Sequence, residues 1–225
     1  MLDVLYEDNH LLAVNKPALL PTMGVAEGLP SLLANAKEYL RKKYAKPGEV
    51  YLGIVSRLDA PVTGVVLLAR TSKAAARLTK LFRDRDVEKS YLALVEGRVE
   101  PASGQLIHFL RKDERHRRVH VTNEHAEGAQ RAELSYRVLT SDKEITLVEV
   151  QLHTGRKHQI RVQLADAGIP VLGDRKYGAV RPFASGIALH ARRLKLVHPV
   201  QKTPLAFVAP LPSAWHRWVD PNAVP

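Results

Sequence analysis

The sequence predicts an α+β fold. Short apolar runs of strand character alternate irregularly with amphipathic helical stretches, without the strand–helix–strand rhythm of a doubly wound parallel sheet. The segments also differ in period: residues 145–152 alternate apolar and polar, whereas residues 32–44 and 75–82 place apolar residues three and four apart. The expected architecture is a mixed, mostly antiparallel sheet with flanking helices.

In chain order, Leu11 to Val14 is a short buried strand, stopped by Asn15-Lys16-Pro17. Ser31 caps a helix running towards Tyr44, with Leu32, Leu33, Ala36, Leu40 and Tyr44 near one face. Val65 to Ala69 is continuously apolar and β-branched at its start, so it reads as a buried strand. Ser72 is the expected cap of a second helix, whose stripe is Ala75, Leu78 and Phe82. Tyr91 to Val95 is a strand ended at Gly97, and Gln105 to Thr122 is a basic hairpin or extended excursion carrying Arg111, Lys112, Arg115, Arg117 and Arg118. Ile145 to Leu152 is a half-buried strand. His158 to Ala167 suits a helix with Ile160, Leu164 and Ala167 on one face, Gly168 as terminator and Pro170 beyond.

Composition narrows the chemistry. A chain of 225 residues with 45% hydrophobic content builds its own core, and with no repeat or linker it is read as a single domain, 1–225. Cysteine is absent, which removes disulfides, thiolate metal sites and thiol nucleophiles. Neither a signal peptide nor a membrane span is evident, so the expectation is a soluble cytoplasmic protein, a monomer by default, with no membrane partner. The histidine pairs His116/His120 and His153/His158 lack the carboxylate pattern of a zinc hydrolase, and no phosphate-binding loop or dinucleotide fingerprint is present. No metal and no cofactor are expected. The net charge of +11 favours a polyanionic partner, because cations on phosphates release condensed counterions.

Three segments carry more. Ser56-Arg57-Leu58-Asp59, followed by Thr63-Gly64 and the apolar strand, resembles the H-R-L-D segment of the RluA family of RNA pseudouridine synthases. Lys89 to Gly97 resembles its K-x-Y-x-A-L-V-x-G segment, and His153 to Val162 its T-G-R-x-H-Q-I-R segment. The flanks match in order too: Tyr6-Glu7-Asp8 with Asn15-Lys16-Pro17 at the start, then Gly173-Asp174, Tyr177-Gly178, Leu189-His190-Ala191 and Ala209-Pro210-Leu211-Pro212. Departures are Ser56 for the usual His, Ala60-Pro61-Val62-Thr63 where R-D-T-S is common, Leu19 for a Gly, and Lys157 for a frequent Thr.

The resemblance implies the pseudouridine synthase catalytic fold, an elongated sheet with a central RNA cleft, working without a cofactor and here without the N-terminal S4-type module many members carry. It implies Asp59 as nucleophile or charge stabiliser, Tyr91 stacked near the base and active in proton transfer, and Ile160 against the uracil ring. Arg161 is expected to pair with Asp59, holding it ionised and oriented. Arg57 is implied to fill the stack left by an extruded nucleotide. Arg85, Lys89, Arg156, Lys157 and His158 are expected along structured RNA, ribosomal or transfer. The competing readings are an RNA-binding or chaperone protein of the same fold with little turnover, and a hydrolase built on Ser56, Asp59 and a histidine; the latter lacks a G-x-S-x-G elbow.

Overall fold

In the computed structural model of the protein, which describes residues 2–26, 28–221 and 223–224, the apolar run at residues 11–14 is the centre of a strand, β2 (Leu11–Lys16). It pairs antiparallel with β1 (Val4–Glu7). The tight turn between them is closed by Asp8, whose carboxylate accepts the backbone N–H groups of His10 and Leu11, each at 2.7 Å.

The chain divides into two compact units, residues 1–88 with 191–212 and residues 89–190 with 213–225. In the first, β2 also pairs antiparallel with β4 (Thr63–Ala69), and β4 pairs with the two-residue β3 (Gly53–Ile54). Strand β10 (Leu189–Val197) lies beside β4 and carries β11 (Pro204–Val208). Every residue of β4 is buried. Successive side chains of a strand point to opposite faces. Val65, Leu67 and Ala69 therefore join the core under helix α2 (Ser72–Asp84), while Val66 and Leu68 join the core under helix α1 (Leu32–Lys43). Two covered faces explain a continuous apolar run where one covered face would give alternation.

Helix α1 begins at the expected cap: Ser31 Oγ accepts Ala34 N–H. Its last turn carries Arg41, Lys42 and Lys43, which suits the negative end of the helix dipole. The cap of α2 is Thr71, not the expected Ser72; Thr71 is extended and its hydroxyl accepts Ala74 N–H, while Ser72 is already helical. Two adjacent hydroxyl residues both satisfy the sequence rule, and backbone conformation decides between them.

In the second unit the strand order is β5–β9–β8–β6–β7, all antiparallel: β5 (Val87–Glu96), β9 (Ile145–Leu152), β8 (Gln130–Ser141), β6 (Ser103–Asp113) and β7 (Arg118–Thr122). The basic excursion is thus a regular hairpin, β6–β7, with Arg111 opposite His120. Helix α3 (Gln159–Asp166) packs on it through Leu110, Val119, Ala132, Val162 and Tyr177. Gln163, fully buried, donates from its side chain to the Leu106 carbonyl at 3.0 Å.

Helix α3 corrects the expected single apolar face. Residues Gln159 to Leu164 are all buried, polar ones included, and Ala167 is exposed at the C-cap. The helix is enclosed on several sides, so Gln159, Arg161 and the Gln163 amide nitrogen bond inside the protein, while Gln163 Oε1 is buried without a hydrogen-bond partner. Strand β8 alternates Ala132, Leu134, Tyr136 and Val138 with Glu133, Ser135 and Arg137 and was legible as a strand, though the sequence reading passed over it. Strands β1, β10 and β11 are short or charge-interrupted, and their neighbouring strands define them.

Candidate functional site

Asp59 and Arg57 lie in the first unit, on the loop between β3 and β4. Arg57 is exposed and Asp59 half-buried. The loop is clamped at alternate residues. Ser56 Oγ accepts Leu67 N–H at 3.1 Å and bonds the Leu67 carbonyl at 3.3 Å, locking the loop to β4. Thr22 Oγ1 does the same for Leu58, donating to its carbonyl at 2.8 Å and accepting its N–H at 3.2 Å. Lys16 Nζ donates to the carbonyls of Pro17 and Leu20, each at 2.8 Å, and of Ala60 at 3.0 Å. Val62 N–H then returns to the Asp59 carbonyl at 3.1 Å. Backbone clamps on both sides of Asp59 fix where its side chain leaves the chain, which a reacting group needs.

Lys16 is fully buried. Burial pushes its ammonium down to about 8, against the Asp59 charge, which favours the protonated form. The three carbonyls and the neighbouring carboxylate are what make a buried ammonium tolerable. Gly64 permits the strand that follows. Its φ is +112°, and any Cβ there would fall inside the Ala191 backbone, so only glycine lets β4 meet β10 at this point.

Arg85 is also in the first unit but off this loop, exposed and left-handed at the α2 C-cap with φ 67°. The second unit holds the remaining predicted residues. Tyr91 lies on β5 opposite Val150, and Lys89 precedes it on the same strand. The Lys89 ammonium lies beside Gly155, 3.6 Å from where a Cβ would stand. That places Lys89 against the loop of Arg156 and Lys157, both exposed. Thr154 and Gln159 build that loop. Thr154 Oγ1 accepts Glu133 N–H at 2.8 Å and donates to Gln159 Oε1 at 2.7 Å, which also accepts Arg156 N–H at 2.9 Å. The Gln159 amide closes the circuit by donating to the Glu133 carbonyl at 3.0 Å.

His158 caps α3 in a left-handed conformation, φ 54°, uncommon without glycine. Its Nδ1 shares a hydrogen bond of 2.6 Å with the Tyr177 hydroxyl, which also accepts Val119 N–H at 3.1 Å. Ile160 and Arg161 are buried, 4% and 5% exposed, on the first turn of α3. Buried arginine demands a partner. Arg161 donates from Nε to Asp174 Oδ2 at 2.6 Å and from Nη2 to Oδ1 at 2.9 Å, a fork-on-fork ion pair. These bonds use two of the five guanidinium N–H groups. The ring of Tyr177 lies 5.0 Å from the same guanidinium.

Asp174 and Tyr177 are functional neighbours that the sequence reading quoted only as flanking matches; Lys16 and Thr22 escaped it as site residues. Their signals were Gly173-Asp174, Tyr177-Gly178 and Lys16-Pro17, whose roles become visible only through contacts far along the chain.

A family profile described as RNA pseudouridylate synthase matches residues 10–166. An uncharacterized RNA pseudouridine synthase, YhcT, of Bacillus subtilis is 34% identical over 94% of this chain and 69% of its own length. A ribosomal large subunit pseudouridine synthase D of Xylella fastidiosa is 35% identical over 94% of this chain and 66% of its own length. Among solved structures, human RNA pseudouridylate synthase domain containing 4 superposes with a TM-score of 0.80 at 29% identity, over 96% of this chain and 92% of that one.

Proposed function

The chain belongs to the RNA pseudouridylate synthase family, of the RluA type, and from that premise we propose that Asp59 drives uridine isomerisation in structured RNA. The observation that carries the proposal is the Asp59 loop itself, its backbone pinned at Ser56, Leu58 and Ala60 on both sides of the one acid it carries.

The chemistry asks little else. The bond from C1′ to N1 of uracil breaks, the base turns, C1′ bonds C5, the proton leaves C5 and N1 gains one. Atoms and electrons balance without a redox partner or metal. A carboxylate serves as nucleophile or as stabiliser of the charge that develops. Tyr91 assists proton transfer beside the base, Ile160 forms an apolar floor for the ring, and Arg161 keeps the carboxylate ionised and oriented. The five guanidinium donors of Arg161 suffice for a second carboxylate besides Asp174.

Arg57, exposed beside Asp59, is suited to replace the extruded nucleotide in its stack. Arg85, Lys89, Arg156, Lys157 and His158 run along the RNA backbone, as do the cations of the β6–β7 hairpin. The Xylella relative's name points to large-subunit ribosomal RNA as the first substrate to try, with transfer RNA second. Both units serve one catalytic domain, acting without cofactor as a cytoplasmic monomer. No helix among the described residues is long and apolar enough to cross a membrane.

The test uses transcripts of large-subunit ribosomal RNA and transfer RNA tritiated at uridine C5, since forming the C1′–C5 bond releases that label to water. The wild-type chain releases tritium. Asp59→Asn binds the same RNA within about twofold yet loses at least about a thousandfold in rate, the scale of losing a covalent or charge-stabilising group. Equal release by wild type and variant, or none by wild type from either RNA, refutes the proposal. Equal RNA binding by the two with no turnover from either is what a pure RNA-binding protein would give.

A further inference from the structure

We propose that the turn Asp174–Tyr177 is a positioning element, in which Asp174 fixes the Arg161 guanidinium and Tyr177 couples it to the basic β6–β7 hairpin. The inference rests on the reading of Arg161 as the partner of the reacting carboxylate and of the hairpin as an RNA contact.

Every link lies within the second unit. Towards the reaction side, Asp174 is 2% exposed and holds Arg161 at two points, which leaves the planar guanidinium no free rotation about its ion pair. Towards the RNA side, the same turn grips the hairpin in three ways. Lys176 Nζ donates to the Arg117 carbonyl at 2.5 Å. The Tyr177 hydroxyl accepts Val119 N–H, and the Arg118 guanidinium lies 5.1 Å from the Tyr177 ring. The Tyr177 ring thus has one arginine of the hairpin and one of α3 against it, at 5.1 and 5.0 Å.

The remaining bond of Tyr177 goes to His158, the strained cap that starts the Arg161 helix. A tyrosine placed only for packing has no need of its hydroxyl. Here that oxygen is bonded both to the hairpin backbone and to the α3 cap. Moving the hairpin relative to α3 breaks one of its two bonds. RNA held by the hairpin cations therefore favours the arrangement in which Arg161 is set.

The two residues act on different kinetic quantities, which separates positioning from plain stability. Tyr177→Phe keeps the ring and its arginine contacts but removes both hydroxyl bonds. Its KM for the tritiated ribosomal transcript rises about fivefold, with kcat held within about twofold. Asp174→Asn keeps the shape but gives the guanidinium one acceptor instead of two. Its kcat falls about a hundredfold, the cost of a misplaced group near the reaction, with KM within about threefold. Asp174→Glu restores the charge on a longer arm and recovers at least about tenfold of that loss.

Arg161→Ala is the control for the underlying reading. If Arg161→Ala is inactive while Asp174→Asn and Asp174→Glu turn over like wild type, the positioning role of Asp174 is wrong and the reading of Arg161 stands. If Arg161→Ala keeps the wild-type kcat, that reading itself fails and takes the proposal with it. A Tyr177→Phe protein with unchanged KM removes the hairpin coupling. Should Asp174→Asn not fold, as judged by circular dichroism, Asp174→Glu decides: an intermediate kcat supports the role and a wild-type kcat overturns it.

Discussion

At the scale of single residues, the least typical side chain is Lys16, an ammonium with no solvent exposure that ties the Asp59 loop together through carbonyl oxygens. Its folded value of about 8 lies below the unfolded value of about 10.4. A lysine depressed on folding carries its full cost below the folded value. As pH rises from 8 to 10.4 the unfolded state binds more protons, so this group makes the protein more stable with pH. The gain is at most about 3 kcal/mol. Urea midpoints between pH 7 and 10.5 should show that rise for wild type and its absence in Lys16→Met; parallel curves for the two would contradict it. The lysine was visible in sequence only as part of Lys16-Pro17. Its role was not, because the Ala60 carbonyl it holds is 44 residues away.

Among the elements, capping and docking decide which helices form where. Thr71→Ala removes the acceptor for Ala74 N–H and should cost about 1 kcal/mol in denaturant unfolding, whereas Ser72→Ala should cost little, since alanine is the better helix former. Equal costs would place the cap wrongly. Helix α1 is fastened to β1 by Glu7, whose carboxylate accepts Tyr39 and Tyr44 hydroxyls at 2.8 and 2.6 Å and pairs with Lys43 and Arg70 at 2.8 and 3.0 Å. Burial disfavours the ionised form of Glu7, but the bonds from Lys43, Tyr44 and Tyr39 outweigh it and hold the carboxyl below its usual range. A depressed carboxyl contributes stability that is complete above its unfolded value and lost as pH falls through its folded one. Glu7→Gln should therefore be less stable than wild type at pH 7 and lose less on acidification below about pH 4.5. A variant whose acid unfolding curve overlays the wild-type curve would show that Glu7 is not the sensor. The amphipathic period of α1 was readable; its anchor was not, since Tyr39, Lys43 and Tyr44 meet Glu7 only once β1 has paired.

For the whole molecule the governing quantity is charge. With a net charge of +11, RNA affinity should fall steeply with salt, because each phosphate contact releases a counterion. Arg111→Ala on the β6–β7 hairpin should lower the slope of log affinity against log salt by about one. Lys42, which pairs with Glu38 on α1 at 3.3 Å, serves as contrast: its alanine variant should leave the slope as it was. Filter binding from about 50 to about 300 mM salt reads both. A slope unchanged by Arg111→Ala would remove the hairpin from the RNA interface.

The sequence by itself determined the element types with strong periodicity and a net charge of +11, and it singled out Asp59 as the candidate acid, because these depend on the order of side chains alone. It marked Gly64 as part of a motif but gave no reason for it. Tertiary structure decided that reason, the true cap of α2, the enclosure of α3 and the ion pair of Arg161 with Asp174. Those are properties of groups brought together from distant parts of the chain: a buried guanidinium is committed to Asp174 only when folding has removed the water that would otherwise solvate both.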